Sequence, residues 1–243
     1  MPPLHGPPAL IEPTKNATMR IAHIMLPLVA GALIAAALPA AAQDTDFQTW
    51  SSIGVKKKLS KKLSVTVEEE LRLSNNSTAF GKNNVSASTT YNLHKKLRVG
   101  AGYRFSYVND FDDGYSRAHR LMLNATLRHK TDADIVLSLR ERFQTDWSSA
   151  PHEYATMYLR HKLQAAYSSK DSPWGPFVSV EFSQSLNNPV QNGIDRVRAL
   201  AGCEYEMLGK LTFSAAWGYQ YTNRPLKKAK KASILAIGVT YGL

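Results

Sequence analysis

Two stretches, Val65–Leu73 (VTVEEELRL) and Leu137–Gln144 (LSLRERFQ), set ionisable side chains two residues apart within an otherwise apolar alternation. Two is the repeat of one face of a β-strand. Glu68, Glu70 and Arg72 therefore share a face, as do Arg140 and Arg142. Even spacings recur at Arg98 and Arg104, at Arg120 and Arg128, at Arg160 and Lys162, at Arg196 and Arg198, and at Glu204 and Glu206, with Glu181 standing alone. One chemistry open to such a set is anion recognition. The planar guanidinium fork matches a carboxylate or phosphate, and rings of basic side chains select anions in pores. The other use is internal: charges held away from water must pair, and Glu68 and Glu70 among arginines would brace a wall. Glu69 and Glu141 break the phase and fall with the apolar residues. A β-bulge would turn them inward, or an inter-strand ion pair with Arg140 or Arg142 would neutralise one of them.

The residues that could do catalysis are sparse. His119, His129, His152 and His161 lie among scattered serines with no serine motif and no acid–base spacing. An outer-membrane lipid hydrolase would need a nucleophile and a histidine on the outer wall, held by a third polar group. That reading is the alternative from another class, and the sequence points away from an enzyme. Cys203 is a lone cysteine, so no intramolecular disulfide is expected. No metal site and no cofactor is expected either.

The elements that must position these charges are strands. Segments of about ten residues follow one another from Leu63 to Leu243: Leu63–Leu73, Val85–Leu93, Leu97–Tyr107, His119–Lys130, Ile135–Phe143, Tyr154–Tyr167, Phe177–Leu186, Arg196–Glu206, Leu211–Tyr221 and Ser233–Leu243. That length suits a tilted strand crossing a bilayer and is about twice the usual strand of a soluble protein. In LRVGAGYRFSY one face reads Leu97, Val99, Ala101, Tyr103, Phe105, Tyr107, and the other Arg98, Gly100, Gly102, Arg104, Ser106. The apolar face ends aromatic, as at a membrane girdle. Short connections (LSKK, HKK, KTDA, MLGK) alternate with longer polar ones (SNNSTAFGKN, NDFDDGYSRA, TDWSSAPHE, NNPVQNGID, NRPLKKAKKA). The fold expected is all-β, an antiparallel transmembrane β-barrel with short periplasmic turns and longer external loops. Bacterial barrels have even strand numbers, so 10 or 12 strands are expected. A further segment, Thr49–Lys57, fits poorly: it would start outside the cell while the N-terminus is periplasmic.

The N-terminal 42 residues read as processing signals. Met19-Arg20 precedes an apolar run ending Ala40-Ala41-Ala42, the pattern of a signal peptide cleaved before Gln43. Residues 1–18 read as an upstream extension, leaving residues 43–243 as one barrel domain. The C-terminus carries a terminal-strand signal, Gly238, then Tyr241, then the hydrophobic Leu243, of the kind read by the barrel assembly machinery. The net charge is +11, and beside the charges on the inward faces two basic clusters remain: lysines at the short turns (Lys56–Lys58, Lys61, Lys62, Lys95, Lys96) and KKAKK, Lys227–Lys231. Anionic membrane lipids and surface glycolipid are the expected partners; nucleic acid is not. Oligomeric state is left open by the sequence.

The motifs DFQTW, EEELRL, GYRFSY, HRLML, LRERFQ and YLRHKL resemble the bacterial outer-membrane family catalogued as domain of unknown function 2490, over most of residues 46–243. The resemblance implies an exported barrel in the outer membrane of a Gram-negative bacterium. It implies no reaction, substrate or catalytic residue. The sequence therefore points to an outer-membrane barrel that is structural or a narrow, porin-like passage for small, anionic solutes.

Overall fold

Strict alternation of polar and apolar residues becomes eleven strands in the computed structural model, which describes residues 45–111, 114–149, 155–188, 193–223 and 228–243. In chain order these are β1 (Thr45–Lys58), β2 (Leu63–Ser74), β3 (Ala79–Asn92), β4 (Leu97–Asp110), β5 (Gly114–Lys130), β6 (Ile135–Ser148), β7 (Thr156–Tyr167), β8 (Trp174–Ser185), β9 (Gly193–Met207), β10 (Leu211–Thr222) and β11 (Lys230–Gly242). Each pairs with its chain neighbours, and β1 pairs with β11 to close the barrel. The upstream extension, the signal peptide and its cleavage point lie outside the described residues.

The expectation of 10 or 12 strands is corrected to eleven. Ten neighbouring pairs are antiparallel, but β1 runs parallel to β11, from Thr45 beside Lys231 to Lys56 beside Gly242. An odd number of strands cannot close with antiparallel pairs alone. The segment that fitted poorly in the sequence is thus a full strand, and it does start at the long-loop end. Nothing in its alternation distinguishes a parallel neighbour from an antiparallel one, because both keep the same face inward.

The strands also run further than the apolar pattern suggests. They span 12 to 17 residues, beyond the roughly 10 that cross a bilayer. β3 begins at Ala79, so only Asn75–Thr78 remains of the supposed loop SNNSTAFGKN; β6 continues through Ser148 into TDWSSAPHE. Polar residues beyond an apolar band need not leave the ladder, since their backbone groups remain paired across it. Two bulges adjust the wall. Gly81 is the extra residue where β2 and β3 shift register at Arg72/Leu73, and Asp195 where β8 and β9 shift at Ser183/Gln184.

Polarity is inverted relative to a soluble core. Gln48, Asn84, Ser106, Gln144, Arg160, Glu181 and Ser183 are buried, whereas Val67, Leu71, Leu121, Leu123, Leu127, Leu137 and Leu163 are exposed on the outer wall. Aromatic side chains gather at both rims. At the loop end His119 stacks on Trp147 at 5.8 Å and accepts or donates a 2.6 Å hydrogen bond with the Tyr103 hydroxyl. Tyr107 stacks on Tyr115 at 5.3 Å nearby, and at the turn end Trp174 meets Tyr205 at 4.6 Å. The apolar part of the interior is small: Trp50, Ala232 and Ile234 pack along the β1–β11 seam.

Candidate functional site

The inward faces enclose a cavity of about 1180 Å³. Every lumen residue expected from the sequence lines it: Glu68, Glu70, Arg72, Arg98, Arg104, Arg120, Arg140, Arg142, Arg160, Arg196, Arg198 and Glu204. Lys82 and Asp146 line it as well. Sequence reasoning missed both by ending strands early. Lys82 continues the even series of Asn84 and Ser86, and Asp146 continues Arg140, Arg142 and Gln144, so three more residues of alternation at the start of one segment and the end of the other would have found them. Twelve basic and six acidic side chains line the cavity, a surplus of six cations.

Three carboxylate centres organise the wall. Glu181 on β8 takes Arg140 from β6 at 2.7 Å, Arg160 from β7 on its other oxygen, and Arg198 from β9 at 3.8 Å. Glu70 on β2 binds Arg72 at 2.7 Å and accepts a 2.8 Å hydrogen bond from the Asn84 amide, and Arg104 stands 3.9 Å from both Glu70 and Glu68. Asp146 receives Arg120 through two bonds, 2.6 Å from Nε and 2.5 Å from Nη2. Such forked pairs are strong and hold geometry.

Strand register explains why cations nonetheless dominate. Across β5 to β9 one row of paired positions reads Asn124, Arg142, Arg160, Ser183, Arg196; the next reads Thr126, Arg140, Lys162, Glu181, Arg198. A single carboxylate stands in ten positions that hold six basic groups. Arg142 donates to the Asn124 carbonyl oxygen at 2.7 Å rather than to a carboxylate. The Nε atoms of Arg104, Arg140, Arg160 and Arg196 are buried without a hydrogen-bond partner among the described residues.

Trp50, noted in the sequence only as part of DFQTW, has a definite place. Its ring projects inward from β1, with the Arg72 guanidinium 3.7 Å and that of Arg198 4.6 Å from its centroid. Its indole donates to Gln48 at 3.1 Å. Cation–π contact on a ring makes a basic lumen compatible with an apolar seam.

Glu69 and Glu141 keep their outward phase. Neither lies at a bulge, and neither pairs with Arg140 or Arg142, which face the opposite way; that expectation is corrected. Glu69 accepts a 2.9 Å hydrogen bond from the Asn83 amide, and Glu141 contacts His161 Nδ1, its register partner on β7, at 2.5 Å. The outward neighbours of this Glu–His pair are Ala125, Leu139, Phe143, Leu159, Leu163 and Phe182. None offers a hydroxyl or thiol to the imidazole. His119 belongs to the aromatic rim, His129 sits exposed at the end of β5, and His152 lies outside the described residues. Cys203 is half-buried on β9. Gly238, Tyr241 and Leu243 lie on or just past β11; Gly238 faces Ser52 and Ser214 so closely that a Cβ would come within 2.6 Å of a serine oxygen.

The fold and site define a class, a closed β-barrel with an apolar outer wall and a net-basic lumen. The chain belongs to the family described as "Protein of unknown function (DUF2490)", whose model matches residues 47–230. Among solved structures the chain is similar to the translocator domain of autotransporter NalP from Neisseria meningitidis, at 11% identity and a TM-score of 0.37, covering 84% of this chain and 91% of that one. No curated protein matches.

Proposed function

We propose that the barrel spans the bacterial outer membrane and passes small anionic solutes through its lumen. The observation that carries this reading is the surplus of six cations on one continuous internal cavity. A structural brace alone would be served by matched charges, since unmatched buried charge is costly; an electropositive track serves an anion, whose charge completes the site. The membrane setting is supported by the exposed apolar wall and the two aromatic rims. In that setting Lys61, Lys62, Lys95 and Lys96 at the turn end meet anionic lipid head groups, and the terminal strand is recognised by the assembly machinery.

The test is conductance of the refolded mature chain in a planar bilayer. An anion-selective channel is expected. Arg142→Gln, which removes a cation not tied to a carboxylate, lowers the anion-to-cation permeability ratio while leaving heat-modifiable migration on a gel intact. No channel at all, or a cation-selective one, would refute the proposal.

A further inference from the structure

The Glu141–His161 pair is the feature the lumen reading leaves unexplained. Glu141 is the seventh of fourteen residues of β6 and His161 the sixth of twelve of β7, so the pair lies at mid-height on the outer wall. Leu139 and Leu163 flank it on one side, Phe143 and Leu159 on the other. Hydrocarbon is the least favourable place for such groups. The carboxylate and the imidazole are each more than a third exposed. Their mutual contact uses Glu141 Oε2 and His161 Nδ1. Glu141 Oε1 and His161 Nε2 have no further hydrogen bond among the described residues.

We propose that this face is the contact between two copies of the chain, related by a two-fold axis that runs along the membrane normal between β6 and β7. The argument is geometric and rests on the membrane-spanning reading, though not on anion passage. Glu141 and His161 lie side by side at one level, because they are register partners. When two such walls face each other about a vertical two-fold axis, left meets right. Glu141 of one copy then opposes His161 of the other, and the reverse. With Nδ1 engaged by its own carboxylate, Nε2 of each imidazole is left facing the free Oε1 of the opposing Glu141, and a proton held between those two atoms on each side closes a ring of four groups. A two-fold contact must be self-complementary, and a carboxylate–imidazole pair laid across the axis is so by construction. Ala125, the register partner of Glu141 on β5, leaves room for close approach. At β2–β3 the same construction gives less, because Glu69 is paired with the Asn83 amide and would meet an opposing amide, which cannot share a proton with a carboxylate as an imidazole can.

The experiment uses the mature chain in isolated outer membranes, with Cys203→Ala to remove the native thiol. Leu163→Cys sits just beside the proposed axis, and Ile53→Cys lies on the opposite wall, on β1. A bifunctional maleimide of about 10 Å, roughly two strand spacings, is expected to give a dimer band with Leu163→Cys and none with Ile53→Cys. The double variant E141L/H161L, apolar like its surroundings, is expected to keep the heat-modifiable fold and lose at least about tenfold in dimer yield, within the coupling range of contacting residues. The exchanged variant E141H/H161E restores opposition across the axis and is expected to recover the band. Absence of a dimer from a folded, membrane-inserted chain, an adduct with a different protein instead, or a yield unchanged in E141L/H161L would each overturn the proposal. A chain that fractionates without the membrane and shows no heat-modifiable migration refutes the membrane reading instead, so the two failures are distinct.

Discussion

At the scale of single residues the lumen holds two kinds of arginine that look alike in sequence. Arg140, Arg160 and Arg198 converge on Glu181, while Arg142 is satisfied by an amide oxygen. The even spacing of charges made the facing legible, because alternation fixes the side of the wall each residue takes. It could not reveal partners, because Glu181 lies 21 residues from Arg160 and 41 from Arg140 in the chain. Glu181→Gln should therefore do two things at once. Breaking a buried pair by removing one partner costs about 3–5 kcal/mol, since Arg140, Arg160 and Arg198 would confront one another. The compact gel form of the barrel should then be lost at a lower temperature than in the parent chain. Channels that still form should be more anion-selective, because one negative charge has left the track. A variant as stable as the parent would show that Glu181 is not the brace described.

At the scale of strands, the outlier is β1. The alternation of Gln48, Trp50, Ser52 and Gly54 against Phe47, Thr49, Ser51 and Ile53 marks it as a strand, yet reveals nothing of its neighbour. Parallel pairing is slightly less stable per residue than antiparallel pairing, and the β1–β11 contact is the only parallel one among the described strands. Trp50 compensates from inside: it packs on Ala232 and Ile234 of β11 and carries guanidiniums from β2 and β9 on its ring. Each cation–π contact contributes about 0.5–2 kcal/mol, and loss of a large buried aromatic costs about 3–5 kcal/mol. Trp50→Ala should accordingly concentrate its damage at the seam. Amide hydrogen exchange should quicken in β1 and β11 well before β5 and β6, which lie across the barrel. Uniform acceleration in all strands would mean that the seam is no weaker than the rest.

At the scale of the whole molecule, the direction of β1 fixes where the barrel begins. β1 and β11 both run from the long-loop rim to the short-turn rim, so Thr45 lies at the loop rim while Leu243, whose amide bonds the Lys56 carbonyl at 2.8 Å, lies at the other. An even-stranded barrel puts both ends on one side, which is why counting strands from sequence led to 10 or 12 and left β1 without a consistent direction. The pattern of faces was legible; the side on which the chain enters depends on which strand closes the ring, a long-range fact with no local signature. If the short-turn rim is periplasmic, residue 45 stands at the cell surface. An epitope inserted immediately before Thr45 should then be labelled by antibody on intact cells, as should one placed between Phe111 and Gly114 at the same rim. An epitope after Leu243 should be labelled only once the outer membrane is permeabilised. Labelling of the Thr45 epitope solely after permeabilisation, with the loop epitope still accessible on intact cells, would rule out the parallel closure and restore an even-stranded barrel.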